Sequence, residues 1–200
     1  MKPTVALLLF DDVEVLDFAG PFEVFSVTNE LSGDKFFHVV TVAEERRLIR
    51  ARNGLHVMPD HALADCPAPA VLIVPGGVGT RPLLQNPRVL AWVESVAASA
   101  QHVVSVCTGS LVLARLGLLA GRDATTHHEC FDLLRSLAPT ARVSESARFL
   151  DNGQILTSAG ISAGLDVSLH LVARLHGVAT ARRTAAYMEY HWREDGGTTR

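Results

Sequence analysis

Strong net charge, long apolar runs and closely spaced cysteines are all lacking in this 200-residue sequence. The chain has 18 basic and 21 acidic side chains, and its formal net charge of −3 gives no positive field to collect phosphates. No apolar stretch approaches the roughly 20 residues that span a bilayer. We therefore expect neither a nucleic-acid partner nor a membrane partner.

The three cysteines, Cys66, Cys107 and Cys130, are odd in number and far apart, without a C-x-x-C pair or zinc-ribbon spacing. This pattern argues against a disulfide framework and favours a reducing compartment. The N-terminal segment has too few apolar residues, and no small-residue cleavage site, for a secretory signal. A cytoplasmic location is expected.

The length fits one domain, because a chain of this size hides roughly 70% of its unfolded surface and needs no disulfide or metal. No internal repeat and no Pro/Gly-rich linker divides the sequence. We expect a single domain over residues 1–192. Residues 193–200 cannot bury apolar area and are expected to form a flexible polar tail.

Short apolar runs alternate with helical patterns along the chain. The runs are continuous and rich in Val, Ile and Leu, which is typical of parallel strands covered on both faces. They predict strands at residues 5–10, 37–42, 71–74, 102–106 and 155–157.

Two of the helical patterns are sharply marked. Asn86 is a predicted N-cap, and Pro87 takes the first helical position, where a missing N–H costs nothing. A second helix covers residues 161–176, and Gly177 is placed to end it with a left-handed backbone. Weaker helical patterns are present at residues 22–31 and 110–119. The alternation predicts an α/β fold with a mostly parallel sheet and helices on both faces, in which ligands bind at the carboxyl ends of strands.

The predicted strand at residues 102–106 leads directly to Cys107, with the small residues Ser105 and Gly109 two positions away on each side. A nucleophile on a tight strand-to-helix turn needs such neighbours because the strand and helix backbones nearly touch. The N–H groups of the following helix would lower the thiol pKa from about 8.5. Cys107 is a candidate nucleophile, and a small buried apolar residue is the alternative.

Two other strand ends carry polar candidates. The strand at residues 71–74 ends in Pro75-Gly76-Gly77, and consecutive glycines can present backbone N–H groups to a developing anion, although an ordinary tight turn also fits. After the first strand, Asp17 lies among apolar neighbours. Desolvation would raise its pKa and make it a candidate proton shuttle, with a capping or exposed role as the alternative.

The segment 125–130 contains His127, His128 and Cys130, a grouping that can suggest a metal site. No distal pair of ligands accompanies it, so neither a metal nor another cofactor is expected. We expect one of the two histidines to line a pocket instead.

Five ordered motifs resemble those of the ThiJ/PfpI superfamily and together cover nearly the whole chain. They are Asp17-Phe18-Ala19-Gly20-Pro21, Pro75-Gly76-Gly77, Ser105-Val106-Cys107-Thr108-Gly109-Ser110, Ala124-Thr125-Thr126-His127 and the run at residues 157–166. Within the superfamily the chain looks most like the isocyanide hydratase branch. The resemblance implies a flavodoxin-like three-layer sandwich of the class I glutamine amidotransferase-like type, assembled as a homodimer.

The resemblance also implies roles for site residues. Cys107 matches the elbow nucleophile, Asp17 the acid beside the sulfur, and Thr108 the threonine that follows the cysteine in hydratases. Gly76 and Gly77 match the backbone donors near the sulfur. The remaining matches are pocket residues, namely His127, Gly160 and Ile161.

The implied activity is hydration of an isocyanide to an N-formamide through a Cys107 thioimidate, acting on a small neutral molecule. Thr108 stands where protease-like and many glyoxalase or deglycase members carry His, which argues against peptidase activity. His128 stands where the hydratases carry Trp, which changes the shape of the pocket. The alternatives are a domain that senses a small molecule or an oxidant without turnover, and a glyoxalase or deglycase. The motifs also resemble the N-terminal domain of AraC-type regulators, whose helix-turn-helix region this sequence does not show.

Overall fold

A computed structural model describes residues 2–195 and places two layers of helices against a central sheet. The strands are β1 (Thr4–Leu9), β2 (His38–Ala43), β3 (Ile49–Arg50), β4 (His56–Val57), β5 (His61–Ala62), β6 (Pro69–Val74), β7 (His102–Ser105), β8 (Asp123–Ala124), β9 (Arg142–Val143), β10 (Phe149–Asn152) and β11 (Ile155–Ser158). The helices are α1 (Val15–Leu31), α2 (Thr80–Leu83), α3 (Pro87–Ser99), α4 (Gly109–Arg115), α5 (Phe131–Leu137), α6 (Ala163–His176) and α7 (Val178–Tyr187).

Within residues 2–195, seven strands form the main sheet in the order β10-β11-β7-β6-β1-β2-β5. All its pairings are parallel except that of β10 with β11. The five predicted strands all belong to this sheet, and most of their residues are buried, as continuous apolar runs require. The predicted α/β, flavodoxin-like class is therefore confirmed.

The strand order reverses beside β1, because β2 lies on one side of it and β6 and β7 on the other. Such a reversal opens a crevice at the carboxyl ends of the strands. The segments after β1, β6 and β7 contain Asp17, the Gly76-Gly77 pair and Cys107, respectively. Sheet topology thus brings together three segments that are distant in sequence.

The helix predictions are correct in part. The Asn86 side chain accepts hydrogen bonds from Arg88 N at 3.1 Å and Val89 N at 3.2 Å, which confirms the predicted cap of α3. Helix α6 begins two residues later than predicted, and Gly177 ends it with a φ of +87°, although its ψ of 151° is extended rather than left-handed helical. Helix α7 was not predicted.

Helices α1 and α4 differ more from their predictions. Helix α1 begins at Val15 instead of residue 22 and contains Pro21, so Asp17 lies in its first turn. Pro21 removes one N–H, the partner of the Asp17 carbonyl, while burial of Phe18 and the apolar residues that follow outweighs that loss. Helix α4 ends at Arg115 because Gly117 follows with a φ of +72°.

The start of the predicted polar tail contacts the domain. Arg193 donates its backbone N–H to Asp166 at 3.1 Å, and Glu194 pairs with Arg182 at 2.8 Å. The rest of the predicted tail, residues 196–200, lies outside the described residues. In the described part of the chain, no helix has the length and apolar character to cross a membrane.

Candidate active site

Cys107 lies on the sharp turn between β7 and α4, with a φ of +56°. A positive φ is uncommon for a residue with a Cβ and persists only where the surrounding structure enforces it. The turn is so tight that a Cβ at Gly109 would lie 1.9 Å from the Val74 carbonyl oxygen. The small residue predicted two positions after the cysteine is therefore a steric requirement.

Asp17 is fully buried beside this turn. Its Oδ2 accepts a hydrogen bond from Gly76 N at 2.9 Å, whereas its Oδ1 makes none with the described residues. Burial raises the pKa of Asp17 to about 7, the Gly76 N–H opposes the rise, and the charge of Glu14 adds to it. The desolvated carboxyl predicted from the sequence is thus present, with a pKa suited to proton transfer near neutrality.

The Cys107 thiol has a raised pKa, so the predicted lowering is wrong. Burial and then the charge of Asp17 raise the pKa of Cys107 to about 12, against the backbone N–H groups of Thr108 and Ile161, which lower it. Helix α4 has only seven residues, and its end does not outweigh desolvation and a neighbouring carboxylate. At neutral pH the sulfur is a thiol close enough to Asp17 for each group to shift the pKa of the other.

The two glycines predicted as anion donors bind protein side chains. Gly76 N–H is taken by Asp17, and Gly77 N–H donates to Thr108 Oγ1 at 2.9 Å. The Thr108 hydroxyl is buried, and Thr80 Oγ1 lies 3.3 Å from it. A Cβ at Gly76 would lie 2.5 Å from Thr108 N, so this turn needs glycine to bring the backbone against the elbow. The N–H groups near the sulfur come instead from Thr108 and Ile161.

Ile161 has a φ of +52°, a rare conformation for a β-branched residue. Its backbone N–H approaches the Cys107 sulfur, while Cys107 N donates to the Ala159 carbonyl at 3.2 Å. Gly160 closes this loop onto the imidazole of His127, since a Cβ there would lie 2.5 Å from the ring. The elbow and the β11–α6 loop therefore hold each other in strained conformations.

A cleft of about 240 Å³ is lined by Cys107, and its volume is somewhat below the roughly 300 Å³ at which typical ligand sites begin. Five predicted site residues line it: Gly77, Cys107, Thr108, His127 and Ile161. The substrate expected from the sequence is a small neutral molecule, but the lining of this cleft is not purely apolar. Four charged side chains contribute, Glu14, Arg52, Arg81 and Glu129.

A second cavity of about 300 Å³ adjoins the cleft across His127 and Ile161 and includes Gly160 and His128. Both histidines thus line a cavity, where one was expected. Burial and the neighbouring His128 lower the pKa of His127, which favours a neutral imidazole in the wall between the two spaces.

Sequence reasoning missed the charged groups of the cleft and assigned no function to Cys130. Glu14 and Arg81 follow the ends of β1 and β6, so their position next to strand ends was the available signal. Arg52, Glu129 and Cys130 come from distant segments, and no local pattern marks them. Within residues 2–195, no group of three or more His, Cys, Asp or Glu side chains could hold a metal ion.

The chain is similar to known proteins over most of its length. Residues 3–174 match the model of the DJ-1/PfpI family. The chain is 37% identical over 190 residues to isonitrile hydratase of Pseudomonas putida, which covers 95% of this chain and 79% of the relative. It is 32% identical over 174 residues to the HTH-type transcriptional regulator GbdR of Pseudomonas aeruginosa, covering 87% of this chain but only 47% of that protein.

A solved structure extends the similarity to the backbone. The crystal structure of a THiJ/PfpI family protein from Pseudomonas syringae matches with a TM-score of 0.86 and 31% identity, over 95% of this chain and 76% of that one.

Proposed function

Because the chain belongs to the DJ-1/PfpI family, we propose that it is a cysteine-dependent hydro-lyase that hydrates an isocyanide to an N-formamide. The observation that carries the proposal is the contact between the Cys107 thiol, which lines the cleft, and the buried Asp17 carboxyl, whose Oδ1 has no hydrogen-bond partner among the described residues. The identity with an isonitrile hydratase over most of the chain supports the same reaction.

The pair begins the reaction as a thiol and a carboxylate. With pKa values of about 12 and about 7, the two groups share one ionisable proton across the intervening pH range. Asp17 removes the thiol proton as the sulfur attacks the terminal isocyanide carbon, so a free thiolate need not accumulate. This differs from the sequence-based expectation of a lowered thiol pKa, which would supply a preformed thiolate.

The first half-reaction forms a C–S bond and breaks the S–H bond. Asp17 passes the proton to the isocyanide carbon, and the carbon–nitrogen triple bond becomes the double bond of a thioimidate. Covalent catalysis of this kind divides one difficult hydration into two easier additions.

The second half-reaction uses water. Asp17 takes a proton from water as its oxygen bonds to the thioimidate carbon, and the nitrogen receives that proton. The C–S bond then breaks, the hydroxyl proton returns to the sulfur through Asp17, and the N-formamide leaves. The N–H groups of Thr108 and Ile161 stabilise negative charge on the departing sulfur.

The other predicted site residues support this arrangement in the proposal. Gly76 orients Asp17, and Gly77 orients Thr108. His127 and Ile161 form the far wall of the cleft, and Gly160 allows their close packing. The proposal needs no metal or cofactor.

A single-turnover assay with a simple alkyl or aryl isocyanide tests the proposal. Cys107→Ala should form no formamide above the uncatalysed rate, and intact-protein mass spectrometry of the parent should detect a covalent adduct of the substrate mass. Cys130→Ala is the matched control for loss of another thiol in the cleft, and it should still form the adduct. If Cys107→Ala made formamide as fast as the parent, the proposal would be wrong.

A sensing domain without turnover is the second candidate, and the 32% identity to a transcriptional regulator favours it. In that case mild peroxide would add oxygen to Cys107 while isocyanides remained unchanged. Peptide mass spectrometry after peroxide treatment, combined with the hydration assay, separates the two functions.

A cytoplasmic homodimer belongs to the same proposal. Leu48, Leu55 and Met58 flank the β3–β4 ribbon and are about half exposed, which gives an apolar surface for a second copy. Light scattering after size exclusion measures the assembly.

A further inference from the structure

Two arginines, Arg52 and Arg81, line the active-site cleft, and only Arg52 forms an ion pair among the described residues. Arg52 Nη1 lies 3.4 Å from Glu14 Oε2. Within the described chain, no carboxylate oxygen lies within ion-pair distance of Arg81. Glu129 is on the rim with its side chain 75% exposed, and its neighbour is His127 at 3.8 Å.

Neutral groups hold the Arg81 guanidinium in place. Nη1 donates to the Gly77 carbonyl at 3.3 Å and to Thr80 Oγ1 at 3.0 Å, and Nη2 donates to Cys130 Sγ at 3.1 Å. These contacts use three of the five N–H groups of an arginine and leave the Nε–H and one Nη2–H. Two such donors on one edge match the two oxygens of a carboxylate.

The position of Arg81 relates this edge to the reacting sulfur. Arg81 and Cys107 line the same cleft, and the Gly77 turn that holds the guanidinium also holds Thr108, the residue after the nucleophile. The Cys107–Asp17 pair carries negative charge once Asp17 ionises, so it would repel an anion without a nearby cation. Arg81 is an exposed residue that lines the same cleft, so it is placed to supply that cation.

We infer that Arg81 binds a carboxylate of the substrate, so that the substrate class is a small isocyanide that also carries a carboxylate. The inference rests on the proposed hydratase function for the isocyanide part and on the unpaired guanidinium for the carboxylate part. Arg81 is then a specificity-determining residue, and the expectation of a wholly neutral substrate is replaced.

Alkylation of Cys107 tests the anion site without requiring turnover. Iodoacetate and iodoacetamide have nearly the same shape, and iodoacetate carries the negative charge. Alkylation rates are measured for both reagents at one pH, and peptide mass spectrometry assigns the product to Cys107 rather than Cys130. Arg81→Met should slow iodoacetate at least about fivefold and change the iodoacetamide rate less than about twofold.

Two further variants control for shape and net charge. Arg81→Lys should recover part of the iodoacetate rate, because it restores the charge without the planar fork. Arg88→Met removes a cation that pairs with Glu44 outside this cleft, and it should leave both rates unchanged. Equal slowing of both reagents by Arg81→Met, or no slowing of either, would overturn the inference.

Turnover separates failure of the inference from failure of the proposed function. The parent should hydrate an isocyanide carboxylate with a higher kcat/KM than its methyl ester, and Arg81→Met should reduce this preference at least about fivefold by raising KM. Hydration without charge preference would reject the inference and keep the hydratase. Selective iodoacetate alkylation without hydration of any isocyanide would reject the hydratase and keep the anion site.

Discussion

Asp17 and Asp166 are equally buried but have opposite surroundings. Both have no exposed surface, and they lie on α1 and α6, which pack against each other. Asp166 pairs with Arg148 and also accepts hydrogen bonds from Tyr190 Oη at 3.0 Å and Arg193 N at 3.1 Å. Asp17 accepts one from Gly76 N and leaves Oδ1 unbonded among the described residues.

The comparison shows that burial alone does not decide the role of a carboxyl. A buried charge with a full set of partners fixes structure, whereas one with few partners exchanges its proton near neutral pH. Arg148 connects the two roles, because its Nη2 donates to Ser162 Oγ at 3.1 Å, next to the strained Ile161. The paired carboxyl therefore supports the loop whose N–H faces the Cys107 sulfur.

The largest expected effect is on catalysis by Asp17. Asp17→Asn keeps the size of the side chain and should lower the rate of isocyanide hydration by about 10²- to 10⁴-fold, because it removes the acid–base group. The parent kcat/KM should rise with pH through about 7, where Asp17 ionises, and the variant should lack this rise. Stopped-flow or steady-state assays between pH 5 and 9 measure both; a loss under about tenfold would exclude Asp17 as the proton shuttle.

The next effect is on stability at Asp166. Asp166→Asn should lower the free energy of unfolding by about 3 to 5 kcal/mol, because it leaves the buried Arg148 without its counter-charge. Urea unfolding followed by tryptophan fluorescence measures the change.

Glu194→Gln is the matched control for Asp166, because it breaks an exposed ion pair with Arg182 and should lower the free energy of unfolding far less than Asp166→Asn does. Equal effects of the two substitutions would contradict the structural role given to Asp166. A paired substitution, Arg148→Met with Asp166→Leu, should recover part of the loss, since it removes both charges.

The smallest of these effects is on the stability of Asp17→Asn, which should gain stability relative to the parent as the pH rises. The pKa of this carboxyl is 3.8 in the unfolded chain and about 7 in the folded one, so the folded state binds more protons in between and loses stability as pH rises. Asp17→Asn lacks this penalty. Its free energy of unfolding, relative to the parent, should therefore increase by roughly 2 to 4 kcal/mol between pH 4.5 and 7.5.

Urea unfolding of both proteins at the two pH values measures this difference, and the shared titration of other groups cancels. A constant difference across this range would show that Asp17 has an ordinary pKa in the folded protein.

Local pattern was sufficient for much of the fold. The five apolar runs were found because strands buried on both faces are mostly apolar, and the Asn86 cap was found because its chemistry is local. The early start of α1 was missed because Pro21 resembles a helix start, and only packing of the surrounding residues reveals the longer helix.

In the candidate site, too, features set by neighbouring residues were predicted, and features set by distant residues were missed. Cys107 and Gly109 were recognisable because the crowding at the elbow acts between residues two positions apart. The pKa of Cys107 was predicted in the wrong direction, because the groups that set it, burial and Asp17, are distant in sequence. Arg81 was missed for a similar reason, since its lack of a carboxylate partner is a property of the assembled cleft.

The sequence by itself determined five of the seven strands of the main sheet, the cap of α3 and the position of Cys107 at a strand-to-helix turn, because strand burial, helix caps and tight turns depend on neighbouring residues. The tertiary structure alone decided the protonation of the sulfur, the partners of the two buried carboxyls and the cation left unpaired in the cleft. Electrostatic free energies depend on distance and solvent access, and both are fixed only when distant segments pack together.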